Sequence, residues 1–182
     1  MDELSTGRDW WALFKQFLVF GLVGGSGFVV NLVVAVILNK LNGGYEHAGN
    51  VMFPLPGTDL SFRFTHFVWI AAFVVANTWN YLLNRRWTFK NSGRDWWSGW
   101  FWFMLIGSVA AFFGLLLKNS MVKEGALLYL DFTWMDGSSG LRAREYWAQA
   151  ISIILTMPIN FVVNKLITFR TKPATIDLWR SE

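Results

Sequence analysis

The sequence contains no cysteine, and only two histidines are found among its 182 residues. Without cysteine, the chain can form no disulfide, thiolate nucleophile or thiolate-ligated metal site. The histidines, His47 and His66, have no second ligand at a metal-binding spacing. A transferase or hydrolase would need a base or a metal cluster. We therefore expect no catalytic residue, metal or cofactor, and we expect a protein that is not an enzyme.

Acidic residues are also scarce, and all 12 of them lie outside four long apolar runs. These runs are residues 17–38, 67–83, 100–117 and 146–163. At about 1.5 Å of rise per residue, a helix of about 20 residues spans a hydrocarbon core of about 30 Å. A soluble bundle would show a charged outer face on these helices. The sequence predicts an all-α integral membrane protein with four transmembrane helices, and the runs contain no carboxylate for a proton relay.

The four runs form two copies of one helix pair. Asn80-Tyr-Leu-Leu-Asn-Arg-Arg-Trp-Thr-Phe-Lys90 returns eighty positions later as Asn160-Phe-Val-Val-Asn-Lys-Leu-Ile-Thr-Phe-Arg170. Gly7-Arg-Asp-Trp-Trp11 returns unchanged at 93–97. Such self-similarity marks a repeat architecture. We predict two tandem two-helix repeats, at about 7–90 and 93–170, within one membrane domain over 14–170.

Cations and aromatic residues predict the orientation. Ten of the 16 cations fall in residues 1–16, 84–99 and 164–182, which places both termini and the 84–99 turn in the cytoplasm. The alternation of aromatic and charged residues in 1–16 favours a short interfacial helix at the headgroups, and 171–182 is predicted as a cytoplasmic tail. The basic residues suit contact with anionic membrane lipids, and their pattern does not favour nucleic acid.

Each copy of the repeat ends with two asparagines one helical turn apart and then a cation. Asparagines at this spacing share a helix face, which favours a polar groove for an anionic, polar guest. Plain hydrogen bonding between helices, worth on average less than about 1 kcal/mol per contact, explains the amides equally well. The candidate groove residues are Asn31, Asn77, Asn80, Asn84, Gln149, Asn160 and Asn164.

Small residues and loops complete the organisation. The glycines Gly21, Gly24, Gly25 and Gly107 are predicted to let helices pack closely. Residues 39–64 have turn chemistry, and the apolar stretch 51–55 suits the outer surface of the bilayer. The loop 119–145 is expected to form an interfacial helix or a cap on the outward side.

These features resemble the GtrA-like family of small four-span bacterial membrane proteins over roughly residues 14–170. The most specific match is Asn84-Arg-Arg-Trp-Thr-Phe89, whereas the second copy has Lys165-Leu166 in place of Arg85-Arg86. The loops 42–64 and 120–144 are longer than is usual for that family.

The resemblance implies a multi-pass protein of the bacterial plasma membrane. It also implies work with polyprenyl-phosphate-linked sugars. Members are proposed to flip such lipids to the outer leaflet for cell-surface polysaccharide synthesis, and some to recruit a glycosyltransferase instead. Both functions are hypotheses for this chain.

A polyprenyl phosphate sugar has one anionic phosphate, a hydroxyl-rich sugar and an apolar tail. Arg85, Arg86 and Lys165 suit the phosphate, and Lys118 suits it near the outer end of the third span. The asparagines suit the sugar hydroxyls. Ordinary snorkelling of the cations to lipid headgroups is the alternative. Four helices make a thin wall, so we also expect a homo-oligomer.

Overall fold

The computed structural model describes residues 3–90, 92–139 and 142–170, and these residues form two units that meet in sequence at Thr88 and Phe89. The first unit contains α1 (Glu3–Leu41), a 3-10 turn (Tyr45–His47), β1 (Val51–Pro54), β2 (Ser61–Arg63), α2 (Phe64–Leu83) and a π-helical turn (Asn84–Thr88). The second contains α3 (Trp96–Val122), α4 (Arg144–Val163) and a π-helical turn (Asn164–Thr168). Each unit is thus a helix pair closed by a π turn.

Four helical segments are long and apolar enough to cross a membrane. They are Trp10–Leu41, Phe64–Thr88, Trp96–Val122 and Arg144–Thr168. Large apolar side chains on all four helices are exposed, as hydrocarbon-facing residues are. The predicted all-α multi-pass membrane architecture is confirmed.

In the first unit, α2 buries a stripe in which every fourth residue faces α1. Val68, Ala72 and Ala76 are buried on this stripe, and the same spacing leads on to Asn80 and Asn84. Ridges of residues four apart are those that pack into the grooves of a neighbouring helix. The small alanines let the backbones approach closely, because lipid provides no hydrophobic drive for association.

In the second unit, α4 presents the corresponding stripe to α3. Ala148 and Ser152 are fully buried on it, and Thr156 follows with its side chain 3.9 Å from the position that a Cβ at Gly114 would take. The stripe ends at the π turn, as it does in the first unit. The duplication seen in the sequence is therefore a duplication of one packing face.

The N-terminal segment differs from the prediction of a separate interfacial helix over 1–16. From Glu3 onward it belongs to α1, which runs unbroken to Leu41. Neither proline nor glycine interrupts residues 8–20, so nothing in this stretch ends the helix. In the second copy, Asp95 caps α3 by accepting a hydrogen bond from Ser98 N at 3.1 Å, so this helix starts at Trp96. The predicted tail 171–182 lies outside the described residues.

The loops between the helices contain a feature that composition did not predict. β1 and β2 form an antiparallel hairpin with a register shift between Val51 and Phe53, and the Phe53 and Phe62 rings stack 4.9 Å apart. The expected helix in the second loop is wrong, since described residues 123–139 form turns. Leu130 N donates to Met121 O at 3.0 Å, so these turns fold back on the end of α3. Placement of 51–55 on the bilayer surface stays a prediction.

Close approach of α1 and α2 depends on Gly27. A Cβ at this position would overlap the Asn80 carboxamide, whereas a Cβ at Gly25 would have nothing within 4 Å. Gly27→Leu should therefore lower the free energy of unfolding by about 1–3 kcal/mol through overpacking. Thermal unfolding of the detergent-solubilised protein measures the effect. The matched control, Gly25→Leu, should leave the melting temperature nearly unchanged, and equal melting temperatures for the two variants would contradict this account.

Candidate functional site

Each unit ends its second helix with a hydroxyl-amide bond inside the π turn. Thr88 Oγ1 donates to Asn84 Oδ1 at 2.8 Å, and Thr168 Oγ1 donates to Asn164 Oδ1 at 2.8 Å. Both asparagines are only 1% exposed. In the second unit the backbone shows the π spacing directly, because Phe169 N donates to Asn164 O at 2.9 Å. π turns occur mostly as single turns and frequently at functional sites.

In each unit, a side chain from outside the π turn donates a hydrogen bond to a carbonyl of that turn. Gln16 Nε2 donates to Thr88 O at 2.9 Å in the first unit. Arg94 Nε donates to Ile167 O at 3.0 Å in the second. A carbonyl released from the regular α-helical pattern needs such a donor where water is scarce. The two units thus satisfy a π-turn carbonyl with different donor residues.

The asparagine that begins each π turn is followed by a half-buried cation, which lies near an aromatic ring. Arg85 Nη1 donates to the Tyr81 hydroxyl at 2.7 Å, and Tyr81 is fully buried. Lys165 Nζ lies 5.9 Å from the centre of the Phe161 ring. These cations occupy equivalent positions, so the duplication preserves a charge at the end of each second helix.

The other two predicted phosphate-binding cations differ in setting. Arg86 is exposed and makes no hydrogen bond or ion pair within the described chain. Its counterpart, Leu166, is exposed too, so this second cation is present in one unit only. Lys118 is half-buried near the end of α3, in the second unit, and does not belong to the π-turn end.

The predicted groove amides fall into three groups. Asn84 and Asn164 are wrong as ligand-facing residues, because burial and the threonine bonds use them to hold the π turns. Gln149 is exposed eleven residues before Asn160, or about 16 Å along α4, so the structure does not bring it to the others. The remaining four, which are half-buried, keep hydrogen-bonding capacity: Asn31, Asn77, Asn80 and Asn160.

Three of these amides lie in the membrane segment of the first unit. Gly27 on α1 lies opposite Asn80 on α2. Asn31 and Asn77 both lie about one helical turn from this contact, in the same direction along the helix pair. Their side chains make no hydrogen bond with other described residues. Asn80 Oδ1 is buried and also lacks a partner. Unsatisfied polar atoms are costly in hydrocarbon, which makes this level a candidate for polar contact.

The predicted packing glycines are only partly used. Gly24 and Gly25 are exposed, and a Cβ at either would have nothing within 4 Å. Within the described part of their own unit they therefore make no close helix contact, contrary to expectation. Gly21 and Gly107 are half-buried. The glycine that sets the close approach is Gly27.

The second unit contains a groove between its two helices. It has a volume of about 310 Å³ and lies between α3 and α4. Apart from Thr156 and Asn160, its walls are apolar, with Val109, Ala110 and Phe113 on the α3 side. A volume near 300 Å³ is at the lower end of the range for ligand sites.

Outside the helices, one ion pair orders the second loop. Arg142 Nη1 lies 3.0 Å from Asp136 Oδ2. Hydrogen bonds from Ser138, helped by the Arg142 charge, lower the pKa of Asp136 below its ordinary value. Among the described residues, no three histidine, aspartate or glutamate side chains are grouped to hold a metal.

Comparison with known protein families identifies the family of this chain. The family model of the GtrA/DPMS transmembrane domain matches residues 19–131. The chain belongs to the GtrA/DPMS transmembrane-domain family. The match covers α3 and the greater part of the first unit, and the internal repeat extends the relationship to α4. No curated protein and no solved structure matches the chain.

Sequence reasoning missed three contributions to this GtrA/DPMS site. Tyr81 positions Arg85, the threonines of the π turns bind the asparagines, and Gln16 fixes a carbonyl of the first turn. A signal for the threonines was present, because each follows its asparagine by four residues. No comparable signal marks Gln16, whose contact depends on how α1 packs.

Removal of a π-turn hydroxyl should destabilise the protein. Thr88→Val or Thr168→Val leaves a buried asparagine oxygen without its donor, which costs about 1–3 kcal/mol. Thr65→Val is the matched control, because Thr65 is exposed and its hydroxyl makes no hydrogen bond with described residues. Thermal unfolding in detergent should show a lower melting temperature for the first two variants only. An unchanged melting temperature for both would show that the hydroxyl-amide bond does not hold the turn.

Proposed function

We propose that this GtrA/DPMS-family protein is a translocase for a polyprenyl-phosphate-linked monosaccharide. The lipid moves from the cytoplasmic to the outer leaflet of a bacterial plasma membrane, with both termini of the protein in the cytoplasm. The observation that carries the proposal is the combination, within the first unit, of a positioned cation and amides without a hydrogen-bond partner among the described residues. A sugar phosphate offers an anion to the cation and hydroxyls to the amides.

Recognition of the phosphate is assigned to Arg85 and Arg86. The Tyr81 hydroxyl holds the Arg85 guanidinium at the end of α2, which places a positive charge at a defined position. Arg86 is exposed beside it. A guanidinium binds phosphate through paired, charge-assisted hydrogen bonds. Lys165 plays the equivalent part in the second unit as a point charge.

Passage of the sugar is assigned to the amides of the first unit. Asn77 and Asn80 continue from the cation into the membrane segment of α2, and Asn31 lies at a similar level on α1. An amide donates and accepts hydrogen bonds, so it can replace the water that a sugar hydroxyl loses. The prenyl tail needs no such path, because it stays in lipid. The apolar runs 17–38, 67–83, 100–117 and 146–163 contain no carboxylate, so we expect movement down the gradient of the lipid rather than proton coupling.

A membrane scaffold that recruits a glycosyltransferase is the second candidate. Trp87 and Leu166 are exposed immediately after the cations of the two π turns, and exposed aromatic and apolar side chains are suited to a protein contact. In this function Arg85 would serve only to anchor the turn at the headgroups. Catalysis by the chain itself is not proposed.

Liposomes that contain a fluorescent polyprenyl phosphate sugar test the translocase. Purified protein should accelerate its movement between leaflets, and the Arg85→Gln, Arg86→Gln double variant should slow this movement about tenfold or more, because loss of one charge-assisted hydrogen bond costs about 1.5–3 kcal/mol. Lys40→Gln is the matched control, since it removes one exposed cation from the other end of the first unit.

The same preparations separate the two candidates. Movement no faster than in protein-free liposomes, combined with capture of a glycosyltransferase that survives the double substitution, would reject the translocase and support the scaffold. Movement that is lost in the double variant and kept in Lys40→Gln would support the translocase.

A further inference from the structure

The two repeats of this protein are built from equivalent positions, yet their helix pairs differ in closure. In the first unit, Gly27 is buried against Asn80. The equivalent position in α3 is Phe113, which is 55% exposed. Phe113 lines the groove of about 310 Å³ between α3 and α4, so the second repeat has a benzyl group where the first has only a hydrogen atom.

The second helices contribute to the same difference. Trp79 of α2 reaches across to α1, where its Nε1 donates to Ser26 Oγ at 3.1 Å. Its counterpart in α4 is Ile159, which has no polar atom to donate and is 67% exposed. Ala76, which is buried in the first unit, is matched by Thr156 in the groove wall. At these equivalent positions the helices of the first repeat are in contact, whereas the residues of the second line a groove.

The groove holds a single amide with donor capacity to spare. Asn160 Oδ1 accepts a hydrogen bond from Asn164 Nδ2 at 2.8 Å, whereas Asn160 Nδ2 donates to no other described residue. Thr156 adds little polarity, because its hydroxyl donates to Ser152 O at 2.8 Å. A donor at this depth, in walls that are otherwise apolar, needs an acceptor.

One end of the groove lies close in sequence to the cation of the π turn. Val163 lines the groove, and Lys165 follows two residues later. From Val163 to Thr156 the groove extends about 10 Å along α4. A chain that lay in it would thus have its apolar part between the helices and its polar end at the amide and the cation.

We infer that the groove between α3 and α4 binds the isoprenoid chain next to the phosphate of a polyprenyl phosphate, with Asn160 Nδ2 donating to a phosphate oxygen. This inference rests on the proposed function and extends it, because it assigns chain recognition to the second repeat. Phospholipid acyl chains are the competing occupant. A polyprenyl phosphate carries its anionic oxygens directly at the end of the hydrocarbon chain, which matches a groove whose apolar walls include a single amide and whose end lies near the π turn.

Photolabelling of the full-length protein in phosphatidylglycerol nanodiscs tests the assignment. The probe is a polyprenyl phosphate with a diazirine in the second isoprene unit, and labelled peptides are mapped by mass spectrometry. Saturable labelling at 109–113 and 156–160, displaced by unlabelled polyprenyl phosphate within a constant excess of phosphatidylglycerol, supports the inference. Labelling spread evenly over the exposed helix faces, or not displaced, overturns it.

Matched variants on α3 test whether the groove is the site. Ala110→Phe fills the groove, whereas Ala111→Phe adds the same group to the adjacent, exposed position. Loss of contact with a few methylene groups should reduce labelling about tenfold or more in the first variant and leave the second near wild type. Val109→Trp provides a second filled groove if Ala110→Phe fails to fold. Equal labelling of filled and control variants overturns the site.

The role of Asn160 is tested with two probes. Asn160→Asp keeps the oxygen that accepts from Asn164 and replaces the free donor with negative charge. Labelling by the polyprenyl phosphate should fall about tenfold, while labelling by the corresponding neutral polyprenol should not change. An equal loss for both probes would indicate a packing role and overturn the phosphate contact.

Transport in liposomes separates this inference from the proposed function. If wild-type protein moves the lipid but the groove is not labelled, the inference fails and the translocase stands. If the groove is labelled specifically but no movement is detected, the translocase fails and chain binding stands. Loss of movement in Ala110→Phe and its retention in Ala111→Phe would support both.

Discussion

The bond between a threonine hydroxyl and an asparagine side chain, buried inside each π turn, is the interaction on which the functional end of each unit depends. A helix that ends near hydrocarbon must satisfy its last carbonyls without relying on water. The bonds Thr88–Asn84 and Thr168–Asn164 close this end from within. The next residues, Arg85 and Lys165, carry their charge directly after the asparagines of these bonds.

Duplication supplied two such ends, and later divergence changed what lies between the helices. At one pair of equivalent positions the first repeat has Gly27 and the second has Phe113. The glycine lets α1 and α2 meet, with the result that Asn80 is pressed against the neighbouring backbone. In the second repeat Phe113 lines the groove instead. This pair of positions is therefore one of the differences between the contacting helices of the first repeat and the grooved pair of the second.

The sequence predicted the spans, the repeat and the family, because these depend on composition and periodicity. It did not predict the π turns, since their extra residue per turn has no periodic signature that five residues could show. The sequence wrongly predicted a separate helix over residues 1–16, because aromatic and charged residues suit an interfacial helix and the start of a longer helix equally. The Tyr81–Arg85 and Gln16–Thr88 contacts needed coordinates, because side-chain direction and helix level decide them.

The asparagines illustrate why a polar stripe in a membrane helix has two meanings. Spacing places Asn80 and Asn84 on one face of the second helix in the first unit, and Asn160 and Asn164 on the same face of the second helix in the second unit. Each face is turned toward the first helix of its own unit. Inside the π turn the fold uses the amide, as at Asn84 and Asn164. One helical turn earlier, Asn80 Oδ1 has no partner among the described residues, and Asn160 Nδ2 donates to none of them. The position of an asparagine relative to the π turn, rather than the residue type, therefore decides whether the fold uses the whole amide.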